Sequence, residues 1–98
     1  MLKLEEIKSI LKAEKKELAS LGIKDIGIFG SYIRGDAEET SDIDILVDVS
    51  PDSDLTLFSL IDIEMKLSEK FNRKVDLVIK SDLKPNIGKR ILREVEYV

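Results

Sequence analysis

Asp42 and Asp44 flank a single isoleucine at the end of the stretch GSYIRGDAEETSDID, which runs from Gly30 to Asp44. On a strand, side chains two residues apart share a face, so both carboxylates point one way and Ile43 and Ile45 the other. Like charges held close repel, and the usual relief is a hard divalent cation with oxygen ligands, magnesium above all. The Gly30-Ser31 pair supplies a complementary chemistry. Gly30 follows an apolar run and lets the chain turn while a ligand approaches its backbone, and Ser31 stands where a helix N-cap would expose free amides to a phosphate. A phosphate binder and a metal binder are thus joined by the ten residues from Tyr32 to Ser41.

The elements that position these groups follow from periodicity. Leu4, Ile7, Leu11, Leu18 and Leu21 recur at helical spacing, which predicts an amphipathic helix over 2–21 ended by Gly22, with Leu2 and Ile10 widening its apolar stripe. A strand over 24–29 leads into the Gly-Ser turn, a short helix over 31–34 and a polar loop over 35–40. Alternation from Ile43 to Val49 predicts the second strand, stopped at Ser50-Pro51-Asp52. Ser53 or Asp54 can cap a helix over 55–71, with Leu57, Leu60, Ile61, Leu67 and Phe71 as its buried stripe and Phe58 and Met65 as packing residues. Asn72-Arg73 turns into a third strand over 74–79, where Val75, Leu77 and Ile79 share one face and Asp76 lies on the other with Val78. An acid there is costly unless it is coordinated, paired, or exposed on an edge strand. Pro85 fits the first turn of a last helix over 83–94, whose apolar line is Ile87, Ile91 and Val95. Lys84, Lys89, Arg90 and Arg93 make that helix basic; a solvated face is the default, and contact with an acidic or phosphate-bearing partner is the sharper alternative. Arg34 either reaches a bound phosphate group or is solvated.

Composition narrows the function. The 98 residues carry a formal net charge of −4, against a general nucleic-acid binder, which uses basic surfaces to neutralise phosphates. With neither cysteine nor histidine, thiolate zinc sites and disulfides are excluded, and any metal is held by oxygen. No stretch is long or apolar enough to span a bilayer and no signal-peptide pattern is present, so a cytoplasmic protein without a membrane partner is expected. The length suits one domain over 1–98.

Gly30-Ser31, ten residues, Asp42-Ile43-Asp44 and a later acid in an apolar strand resemble the signature of the DNA polymerase beta-type nucleotidyltransferases. The fuller form GSYIRG…SDIDILV is similar to their minimal nucleotidyltransferase branch, often the antitoxin partner of a HEPN-domain toxin. The order αβαβαβα by itself gives an α/β chain; the resemblance implies the α+β type, a small mixed sheet of about three strands covered by helices. It also implies transfer of AMP from ATP to a hydroxyl, foremost a tyrosine of a cognate HEPN toxin. Asp42, Asp44 and Asp76 would then be catalytic and hold magnesium or manganese, with Gly30, Ser31 and Arg34 on the nucleotide's phosphates. A small-molecule adenylyltransferase subunit and a non-catalytic toxin-binding module are the alternatives. The two tyrosines, Tyr32 and Tyr97, are read as packing or surface residues, with self-modification as the sharper possibility.

Overall fold

The structure is a computed structural model describing residues 2–98. Its elements are α1 (Leu4–Ser20), β1 (Ile23–Phe29), α2 (Ser31–Arg34), β2 (Ile43–Val49), α3 (Leu57–Phe71), β3 (Val75–Ile79), a 3-10 turn (Lys80–Asp82), α4 (Pro85–Glu94) and β4 (Glu96–Tyr97). The strands form one mixed sheet in the order β3-β2-β1-β4. β1 is antiparallel to both β2 and β4, whereas β2 and β3 run parallel. A parallel neighbour requires a crossover, and α3 is that crossover. The mixed α/β architecture matches the expectation, with a fourth strand added at the edge.

Each face of the sheet has its own cover. Ile43, Ile45 and Val47 of β2 join Ile26 and Ile28 of β1 and Val75 of β3 in a core closed by Ile7, Leu11 and Leu18 of α1 and by Ile63, Leu67 and Phe71 of α3. On the other face Phe29 and Leu46 pack under Ile91 of α4, with Val78, Leu83 and Val95 around them. Leu46 is fully buried there, which explains how β2 can be apolar on both sides beyond its acidic start. Leu2 and Ile10, expected to widen the α1 stripe, are partly buried against the main core.

Two expectations need correction at α3. Its N-cap is Thr56, whose hydroxyl accepts from the Ser59 amide at 3.1 Å, and not Ser53 or Asp54. The buried stripe is Ile63, Leu67 and Phe71, while Leu57, Phe58, Ile61 and Met65 are exposed. The helix is apolar on most of its circumference, so periodicity alone does not select a face. Its inner edge also blunts the free edge of β3: the Val75 amide donates to Ser68 Oγ at 3.1 Å and the Leu77 amide to Glu64 Oε2 at 2.9 Å. In α4, Ile91 is buried as expected, but Ile87 is exposed.

β4 exists because of a glycine. A side chain on Gly27 would overlap Val95, so its absence lets the end of α4 and the strand after it close onto β1, where Gly27 pairs with Tyr97.

Candidate active site

Sheet register brings the acids together. Asp44 of β2 lies directly beside Asp76 of β3, and residues paired this way present their side chains on the same face. Asp42 lies two residues before Asp44, at the mouth of the strand. Its approach is fixed by a small turn in which Glu38 and Ser41 bond each other reciprocally, and Arg73 ties that turn down by donating to the carbonyls of Glu38 and Ser41 at 3.0 and 2.8 Å.

The Gly-Ser bend closes the third side. Gly30 has a φ of 79°, in the left-handed region, and a Cβ there would overlap Asp44 Oδ2. Only glycine lets the bend and the carboxylate come so close. Arg34, one turn further on, has its Nε 3.8 Å from Asp36, and its Nη1 donates to both carboxylate oxygens of Glu94, at 3.2 and 3.4 Å. Glu94 also accepts from the Gly30 amide at 2.5 Å.

Electrostatics single out Asp44. Burial, the charges of Asp76 and Asp42, and that of Glu94 push its carboxyl up to about 6, while Arg34 pulls the other way. Asp42 has a cation 3.8 Å away, Lys74, but among the described residues neither Asp44 nor Asp76 is in an ion pair. As they stand, no three acids among the described residues close into a ligand set. The chemistry of the donors still fits a hard divalent cation: all are carboxylate oxygens, and two neighbouring acids lack a counter-charge. Asp76 itself is exposed on an edge strand, so its distinguishing feature is its neighbour rather than its burial.

The structure therefore gathers Gly30, Ser31, Arg34, Asp42, Asp44 and Asp76 around one corner of the sheet. Two surface depressions lie away from it, one of about 410 Å³ by Leu21 and Ser53 and one of about 420 Å³ by Leu4 and Tyr32. The corner is recognised by charge, not by cavity size. Sequence reasoning missed Glu94. An acid closing a basic helix carries no local signal, and its partners lie about 60 residues away. Tyr32 is buried and thus closed to modification, whereas Tyr97 is exposed.

The model of the nucleotidyltransferase domain family matches residues 4–98. The chain belongs to that family. Membership makes a nucleotide its substrate class and a transferase reaction its activity. The chain is 54% identical, along its whole length and 98% of the relative, to protein adenylyltransferase MntA of Thermococcus cleftensis. Among solved structures, one described as a minimal nucleotidyltransferase superposes with a TM-score of 0.82 at 29% identity, covering 97% of this chain and 95% of that one. A complex of tri-AMPylated Shewanella oneidensis HEPN toxin with MNT antitoxin superposes with a TM-score of 0.59 at 20% identity, covering 88% and 69%, and shares the fold. Among the described residues of this nucleotidyltransferase, no helix is long and apolar enough to cross a membrane.

Proposed function

We propose that this single domain, 1–98, is a protein adenylyltransferase that moves AMP from ATP to a tyrosine hydroxyl of a HEPN-type toxin in the cytoplasm and so neutralises it as its antitoxin. The observation that carries the reading is the register of Asp44 beside Asp76, next to a glycine bend that admits no side chain. The Thermococcus relative, named a protein adenylyltransferase and aligned over the whole chain, supports the reaction type, and the AMPylated HEPN toxin of the distant complex supports the acceptor.

In the reaction, the acceptor oxygen forms a bond to the α-phosphorus as the bond to pyrophosphate breaks, and the acceptor's proton leaves. Gly30, Ser31 and Arg34 hold the terminal phosphates through backbone amides, a hydroxyl and a guanidinium. Asp42, Asp44 and Asp76 are the groups that would hold magnesium or manganese, which when bound supplies positive charge for the attacking and leaving oxygens. Asp76, which is exposed, faces the acceptor side and takes the hydroxyl proton on a carboxylate oxygen, a role no histidine is present to fill. Positioning and charge stabilisation account for most of the acceleration.

The test is to incubate the protein with magnesium, ATP and a candidate HEPN-type toxin and to weigh the toxin intact. AMP-sized additions are expected, lost in Asp42→Asn and Asp44→Asn variants that keep the fold. Full transfer by both variants would sink the assignment of the acids. A tightly bound toxin that never gains mass would sink the transferase reading itself.

A further inference from the structure

Glu94 is the last residue of α4, and its side chain is only 16% exposed. Its carboxylate accepts from the Gly30 amide and from Arg34, two of the donors assigned above to the nucleotide's phosphates. A carboxylate and a phosphate oxygen make the same demand on such donors: each is an anion that accepts charge-assisted hydrogen bonds. The Gly30 amide has one hydrogen, so it cannot serve both. Nor can an anionic triphosphate settle beside the Glu94 carboxylate without like-charge repulsion.

We propose that Glu94 is an internal placeholder for the triphosphate: it occupies the phosphate cradle in the free protein, leaves it when nucleotide enters, and so sets nucleotide affinity. This rests on the phosphate site of the proposed function. The placeholder satisfies a buried amide and holds Arg34 in position while the site awaits its substrate, so the empty cradle stays built. Its departure also releases the end of α4 from the Gly30 bend. The segment that follows is β4, attached to β1 through Gly27–Tyr97 and Ile28–Glu96 and through the Val98 amide on the Ile26 carbonyl. Nucleotide binding therefore loosens the C-terminal edge strand, at the opposite edge of the sheet from β3.

The experiment measures binding of a non-hydrolysable ATP analogue with magnesium, by calorimetry, to the wild type, Glu94→Gln and Glu94→Ala. Glu94→Gln keeps an oxygen acceptor of the same shape for Gly30 and guards against loss of fold in the alanine variant. Both variants should bind about tenfold tighter or more, because the competing charge-assisted bonds no longer have to be broken. Hydrogen exchange at residues 95–98 should quicken on nucleotide addition in the wild type and be already fast, and insensitive to nucleotide, in Glu94→Ala. Equal or weaker binding by a folded variant overturns the placeholder while leaving the nucleotide site standing. Failure of all three proteins to bind the analogue overturns both.

Discussion

Replacing Asp44 by asparagine should stabilise the metal-free protein at neutral pH while destroying its activity. In the folded state the Asp44 carboxyl is pushed from 3.8 to about 6, so keeping it ionised costs free energy that the unfolded chain does not spend. A shift of roughly two units corresponds to about 3 kcal/mol at most; because Asp44 is only half-buried, solvent screening reduces this to about 1 kcal/mol. The direction follows from which state binds the proton more tightly. Well below 3.8 the carboxyl is protonated whether folded or not, and no penalty exists; as pH rises from 3.8 through about 6 the folded protein alone resists ionisation, and stability falls. Urea unfolding of both proteins with a chelator, at intervals from pH 4 to pH 8, reads the difference directly. The variant should gain about 1 kcal/mol at pH 8 and only a small part of that near pH 4. Added magnesium should raise the midpoint of the wild type at pH 8 and leave the variant nearly unmoved. A variant that is less stable at pH 8, or whose advantage is the same at every pH, would refute the reasoning that crowded, uncompensated charge defines this corner.

Gly30→Ala should cost about 1–2 kcal/mol of stability from its left-handed backbone alone, more from the overlap with Asp44, and should weaken nucleotide binding; unchanged urea midpoints would show that the bend tolerates a side chain. Glu14 is buried between α1 and α3, and a hydrogen bond from Lys70, aided by the charge of Lys66, holds its carboxyl below the usual range. Its depressed value makes the contribution present above about pH 4.5 and lost as pH falls further, so Glu14→Gln should destabilise the protein at pH 7 and converge with the wild type in acid; a constant gap would argue against ion pairing. Leu67→Ala should cost about 2–5 kcal/mol whereas Phe58→Ser on the outer side of the same helix should stay within about 0.5 kcal/mol, and a large loss from the second would mean that α3 packs by a different face.

What could be read from the chain without coordinates depended on how local each signal is. β2 was legible end to end, since alternating Ile43, Ile45 and Val47 against Asp44, Leu46 and Asp48 is a period of two with a turn behind it. The Gly-Ser bend and the one-turn α2 were equally legible from residue type. β4 was not, because two residues carry no period and its existence depends on room left by Gly27 on another strand. The inward face of α3 was misjudged for a related reason: Leu57, Phe58, Ile61 and Met65 are as apolar as Ile63 and Leu67, and only the position of the sheet selects between them. The acids of the site announced themselves by spacing, while Glu94 and the capping of β3 by Glu64 are side-chain contacts across the fold that no spacing encodes.

The same pairing that builds the core also builds the site. β3 is a five-residue edge strand, and a strand slips most easily when nothing but its backbone fixes its register. Here Val75 and Leu77 turn into the core beside Ile43 and Ile45, and their outward amides are held by Ser68 and Glu64 of α3. A slip by one residue would drive Asp76 against the buried side chains of α3 and expose Val75, exchanging an apolar contact for an unpaired buried charge. The register that avoids this penalty is also the one that sets Asp76 beside Asp44. The two acids are therefore forced together by the apolar face behind them: packing free energy of the core is what offsets their repulsion, and the unrelieved remainder is what a bound cation would recover.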